Sequence, residues 1–148
     1  MKVLSKSRFK IGAECPNKLH FTHHSNIYPS TKEDDTFLQA LAEGGFQVEE
    51  LARMHYPGGH LVDNPHYDYI GSAKVTAELL QKEQVVIYEA AFLFDDLFIR
   101  TDVLVKNGNH IDLIEVKAKL FDPLDPHLFI GKRDGLVSSW KPYLFDLA

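Results

Sequence analysis

Ile99-Arg-Thr-Asp-Val-Leu-Val-Lys-Asn-Gly-Asn-His-Ile-Asp-Leu-Ile-Glu-Val-Lys117 reads as two alternating runs, rich in β-branched residues, joined by a turn at Asn107-Gly108. Asn-Gly between such runs is the strongest short-range hairpin signal. With the loop centred on Gly108 and Asn109, Asp102 stands opposite Glu115. Side chains repeat every second residue along a strand, so Glu115 and Lys117 share a face. The preceding turn, Asp95-Asp96, places Glu89 across from Asp102 in the same way. Glu89, Asp102 and Glu115 would then form a row across three neighbouring strands. Carboxylates side by side repel unless a cation or protons intervene, so the row predicts a metal site or a strongly raised pKa. Ile111 and Leu113 fall on the face of Glu115, which makes that face partly buried in this reading. The competing reading is a solvated face with a cross-strand salt bridge, and Glu89 is equally open to pairing with Arg100 or Lys117.

Three strands are thus expected at about 85–95, 97–106 and 111–118. Ahead of them, a helix starting near Ser5 or Ser7 should end before Cys15-Pro16, and 22–34 reads as loop. From Asp35 to Tyr56, Phe37, Leu38, Leu41, Ala42, Val48, Leu51 and Ala52 recur at helical spacing. Gly44-Gly45 weakens the middle of that helix, and Pro57-Gly58-Gly59 ends it. Ser72 is a candidate cap for a further helix, Ala73 to Lys82, with Val75, Leu79 and Leu80 inward. Beyond Lys119, Phe121-Asp-Pro-Leu-Asp-Pro126 reads as loop, and the segment from Ser138 reads as a helix just beginning. The single domain expected over 1–148 therefore reads as the N-terminal part of a longer protein, with a further domain or C-terminal segment to follow.

At 148 residues and 45% hydrophobic content the chain can bury a real core. It holds no transmembrane run and no signal-peptide stretch. Cys15 is the only cysteine, which rules out an internal disulfide, a Cys₄ zinc site and a four-cysteine iron–sulfur cluster, and fits a cytoplasmic setting. The formal net charge of −5 gives no general attraction for nucleic acid, whose contacts need local positive charge.

Asp102, Glu115 and Lys117 are the parts that phosphodiester hydrolysis asks for. Carboxylates hold Mg²⁺ or Mn²⁺, which activates water, and a lysine stabilises the developing charge. Asp followed by Glu-x-Lys across a hairpin resembles the PD-(D/E)XK phosphodiesterase superfamily, with Thr101 where that pattern has proline. Gly45-Phe-Gln-Val-Glu49-Glu-Leu-Ala52-Arg-Met-His-Tyr56 resembles the helix of lambda-type exonucleases, in which an acid four residues after glycine joins the metal site. That match assigns Glu49, with Glu50 as the rival. Leu4-Ser-Lys-Ser-Arg-Phe-Lys-Ile-Gly-Ala-Glu-Cys-Pro16 is similar to the N-terminal segment of RecB-like nucleases, and the whole chain is similar to an uncharacterised bacterial family in which this module opens a longer protein.

The resemblance implies an α/β, three-layer restriction-endonuclease-like fold with a mixed central sheet flanked by helices. It implies a metal-dependent deoxyribonuclease of DNA repair, recombination or defence, with DNA ahead of RNA as partner. Asp102, Glu115 and Glu49 would bind Mg²⁺ or Mn²⁺, Lys117 would act on water or phosphate, and Glu89 would support the site. The alternative is a weak or inactive nucleic-acid-binding module, and a third is a pure interaction domain.

Other residues read more plainly. The eight histidines, His20, His23 and His24 among them, lack the spacing of a structural zinc site. Trp140, Tyr143 and Phe145 read as core or interface, and Lys6, Arg8, Lys10 and Lys18 as a solvated basic face.

Overall fold

The computed structural model describes residues 3–30, 36–119, 122–125 and 127–147. The chain divides into two compact units, at 1–117 and 118–148. The first unit is α/β, with a mixed five-stranded sheet flanked by helices. Its strands are β1 (Leu4–Ser5), β2 (His60–Leu61), β3 (Gln84–Phe94), β4 (Leu97–Asn107) and β5 (His110–Ile114). Their order is β1-β4-β3-β2, and β5 also pairs with β4. The β3–β4 and β4–β5 pairs are antiparallel, whereas β1 and β2 join β4 and β3 in parallel.

Both hairpins take the register read from their turns. Phe94 pairs with Leu97 around Asp95-Asp96, and Asn107 pairs with His110 around Gly108-Asn109. Gly108 sits at φ +59°, a conformation that its missing side chain makes inexpensive. The third strand is shorter than expected. It ends at Ile114 instead of continuing to 118, so Glu115 and Lys117 lie just beyond it. The cause is competition for one edge of β4. β1 holds that edge at Leu97 and Phe98, β5 holds it from Val103 to Asn107, and between them Asp102 Oδ2 accepts the Val116 N–H. A side chain thus replaces a ladder bond where the strand leaves the sheet.

Helices α1 (Lys6–Glu14), α2 (Pro16–His23), α3 (Thr36–His55) and α4 (Tyr69–Leu79) complete this unit. Ser5 caps α1 as expected, its Oγ accepting the Arg8 N–H at 3.3 Å. After Cys15, Pro16 starts a second helix in the first-turn position that tolerates a missing N–H, and this helix runs two residues into the loop read at 22–34. The start of α4 also differs. Asp68 caps it through the Gly71 N–H at 2.9 Å, four residues ahead of the expected cap. Ser72 is instead fully buried inside the helix, donating to the Asp68 carbonyl at 2.7 Å. At the other end the Lys106 ammonium donates to the carbonyls of Leu80 and Lys82, at 2.6 and 2.8 Å, closing the helix from the sheet. Gly44 and Gly45 do not interrupt α3. Val48 and Ala52 are half-buried on it, but Leu51 is exposed, and the side chains of Phe37, Leu38, Leu41 and Ala42 lie outside the described residues.

Successive residues of β3 show how the layers are built. Ile87 packs with Val62, Val85 and Leu104 beneath Val75, Leu79 and Leu80 of the α4 region. Tyr88, next in sequence and so directed to the opposite face, donates its hydroxyl to the carbonyls of Arg53 and Tyr56 at the end of α3. Helix, sheet and helix follow in that order. The same hydroxyl accepts the Gly59 N–H at 3.1 Å, and a Cβ on Gly59 would fall 2.3 Å from the Tyr88 ring. Only glycine lets the chain pass there on its way into β2. A second cluster joins Val3, Ala91 and Phe98, with Tyr69 edge-on to Phe98.

The second unit holds an isolated bridge between Ile130 and Leu136, a 3-10 turn at Ser138–Trp140 and helix α5 (Lys141–Leu147), matching the helical start read at 138. The Lys119 ammonium lies 3.8 Å from the Trp140 ring centre and 4.9 Å from that of Tyr143. Phe121 and Pro126 of the expected loop lie outside the described residues. No described helix is long and apolar enough to cross a membrane.

Candidate functional site

Asp102 occupies the middle of β4, at the gap between the segments held by β1 and β5. The pairs on either side, Tyr88 with Val103 and Ala90 with Thr101, keep one register, so Glu89 is the residue opposite it. Glu89 is not in ordinary strand conformation. Its φ is +56°, a left-handed value that costs a residue with a Cβ about 1–2 kcal/mol. Tyr88 and Glu89 both reach Arg53 of α3, the first through its hydroxyl and the second by a 3.8 Å ion pair. Consecutive residues of a regular strand point to opposite faces. The left-handed twist at Glu89 is what brings its carboxylate to the α3 side.

Glu49, on the same helix one turn before Arg53, completes this side of the site. It lines a cavity of about 640 Å³ with Glu89, Arg53, Arg100, Asn64 and His66. Glu50 is exposed and pairs with Arg53 at 3.7 Å, so the structure favours Glu49 over its neighbour as the acid facing the sheet. Arg100 rests across the cavity wall, donating to Ser72 Oγ at 3.0 Å. Burial holds the Glu89 carboxyl above its ordinary pKa, and the charges of Glu49 and then Asp102 push it further, against the pull of Arg100 and Arg53.

On the other side, Glu115 lies beside Asp102 but off the strand. Its two carboxylate oxygens accept from the Lys6 ammonium at 3.0 and 3.1 Å, and Oε1 also accepts from Lys117. Asp102 is likewise raised, chiefly by burial and secondarily by Glu115. The Val116 N–H opposes that rise most strongly, followed by Lys117 and Lys6. Ile111 and Leu113, expected to bury this face, are 47% and 56% exposed. Glu115 is nonetheless largely buried and is in contact with Lys6 of the N-terminal segment.

The expected residues therefore gather as a chain of influences from Glu49 through Glu89 and Asp102 to Glu115, with Lys117 at its end. Glu89 pairs with Arg53 rather than with Arg100 or Lys117. Sequence reading missed Lys6 and Arg53 as members. The four-residue spacing from Glu49 to Arg53 was a usable signal, since it places both on one helix face. Lys6 had none, because its place depends on the two-residue strand before it.

Among the described residues no three His, Cys, Asp or Glu side chains are gathered closely enough to enclose a metal ion. Mg²⁺ does not require three. It binds through one or two carboxylates, keeping water and taking phosphate oxygens for the rest of its shell. Asp102 and Glu115 form such an all-oxygen pair, and their chemistry fits Mg²⁺ or Mn²⁺. Comparison of the chain with protein-family models, with curated proteins and with solved structures finds no match.

Proposed function

We propose that this protein is a metal-dependent nuclease that hydrolyses phosphodiester bonds of nucleic acid, with DNA as the preferred substrate. One observation carries the reading. Four carboxylates from a helix and two successive hairpins follow one another as neighbours, Glu49 to Glu89 to Asp102 to Glu115, two of them with raised pKa values, and the row ends on two lysines. Such a row is costly to fold and gains its worth from a cation. The resemblance to PD-(D/E)XK enzymes of the RecB and lambda-exonuclease type points the same way, and supplies the preference for DNA.

In this reading Asp102 and Glu115 would hold Mg²⁺ or Mn²⁺, with Glu49 as a further ligand or water-mediated partner, and a cation held there would supply an activated water and charge relief at the scissile phosphate. Lys117, released from full engagement with Glu115, orients that water or donates to a phosphate oxygen as negative charge grows there. Glu89 keeps the row acidic, and Arg53 fixes its position. The experiment is degradation of single- and double-stranded DNA by the purified chain with Mn²⁺ or Mg²⁺, for wild type and Lys117→Ala. Metal-dependent cleavage that falls by about 100-fold or more in the variant supports the reading.

The capture of Glu115 by two lysines favours a second reading, a nucleic-acid-binding module without turnover. Tight metal-independent binding with no cleavage would decide for it.

A further inference from the structure

We infer that Lys6 is a working member of the same site, a positioning residue that serves as the counter-ion of Glu115 until a divalent cation takes its place. This inference rests on the proposed metal-dependent function. The basic residues near the N-terminus looked like a solvated face, but Lys6 is set apart from them by the fold. β1 pairs with Leu97 and Phe98 at the start of β4, and Lys6 is the next residue after β1. Its ammonium reaches both oxygens of Glu115, at 3.0 and 3.1 Å, and the Lys6 and Glu115 side chains are 23% and 11% exposed.

At this end of the row two carboxylates, Asp102 and Glu115, face two ammonium groups, Lys6 and Lys117, so the formal charges of these four cancel. That balance has a consequence for binding. A divalent cation held by Asp102 and Glu115 would need a Glu115 oxygen that Lys6 now engages, and two cations at one carboxylate repel. Lys6 must therefore withdraw. An ammonium displaced from Glu115 stays tethered at the edge of β4, within the site where a phosphodiester would bring new negative charge. Lys6 thus opposes metal binding in the free protein and favours phosphate in the loaded one. Lys117 sits two residues from Glu115 on the same segment, whereas Lys6 reaches Glu115 from a different segment, 109 residues away in the chain.

The test compares Lys6→Gln and Lys6→Arg with wild type by two readouts, Mn²⁺ affinity from calorimetry and the rate of Mn²⁺-dependent DNA cleavage at saturating metal. Lys6→Gln should bind Mn²⁺ about threefold more tightly, the scale of one partly exposed charge contact, yet cleave more slowly. Lys6→Arg should stay near wild type in affinity. A purely structural Lys6 would weaken both quantities together when lost, and that result, or unchanged Mn²⁺ affinity in Lys6→Gln, overturns the inference alone. Absence of Mn²⁺ binding in wild type and both variants, with native thermal melts, overturns the metal-dependent reading and this inference with it.

Discussion

Glu89 and Asp102 fall opposite each other at a gap in the β3–β4 ladder, whose register is the same on both sides, and the Asp102 charge helps to hold the Glu89 carboxyl above its ordinary pKa. Burial is the larger cause for Glu89, and it is also the largest for Asp102. A raised acid binds its proton more tightly in the folded state than in the unfolded one. Stability is therefore fullest below the unfolded values, 4.5 for Glu89 and 3.8 for Asp102, and falls as pH rises from there through the raised folded values. Glu89→Gln and Asp102→Asn should melt higher than wild type at pH 7 in metal-free buffer, and the advantage should vanish below about pH 4. Asparagine can still accept the Val116 N–H, so Asp102→Asn keeps the strand exit. Melts across pH 3–8 check the sign, and a gain that grows on acidification contradicts it.

The backbone at Glu89 makes a separate prediction. In an ordinary strand, glycine is less stable than alanine by about 0.5–1 kcal/mol. At φ +56° the order should reverse, because only glycine escapes the clash of Cβ with the following carbonyl. Glu89→Gly should be more stable than Glu89→Ala by about 1 kcal/mol in urea unfolding. Both variants lose the same carboxylate, so the comparison isolates the backbone.

Much of this site was legible in the sequence because turns count residues. Asn107-Gly108 and Asp95-Asp96 set two registers, which put Glu89 opposite Asp102 and bring the chain to Glu115 one residue past the last β5 pair. What could not be read was anything decided by long-range pairing. Two-residue strands such as Leu4–Ser5 carry no periodicity, yet β1 ends β5 early and delivers Lys6. The cap of α4 falls at Asp68 and not at Ser72, because both residue types cap well and Ser72 is buried within the helix. Nor does any sequence pattern announce a left-handed glutamate inside a strand. Glu89 violates local preference in the middle of the proposed site, where such violations are expected to collect.

Two buried threonines should respond in opposite ways to the same isosteric change. Thr76 Oγ1 accepts the Ala91 N–H at 2.9 Å and donates to the Ser72 carbonyl at 3.1 Å, tying α4 to β3. Thr76→Val leaves that strand N–H without a partner and should cost about 1–3 kcal/mol. Thr101, beside Asp102, buries a hydroxyl that has no hydrogen-bond partner among the described residues. Thr101→Val removes this cost and should stabilise the fold by about 1 kcal/mol. Urea unfolding of the two variants, with unchanged slopes, gives the comparison directly.

Metal should reverse the ranking set by pH. Without it, Asp102→Asn and Glu89→Gln should be the more stable proteins at neutral pH, because each removes a charge that burial and neighbouring acids disfavour. A ligand that binds only the folded state adds stability that grows with its concentration over Kd, about 2.7 kcal/mol at a hundredfold excess. Wild type should therefore gain melting temperature steadily as Mn²⁺ is titrated, and overtake Asp102→Asn, which has lost an anionic ligand. Glu89→Gln should retain most of the gain, since its carboxylate supports the row and is not assigned to the cation. Arg53→Gln should also keep the gain while displacing Glu89, whose only described ion pair it removes. If Mn²⁺ raises wild type and Asp102→Asn equally, the cation sits elsewhere and the carboxylate row is not its site.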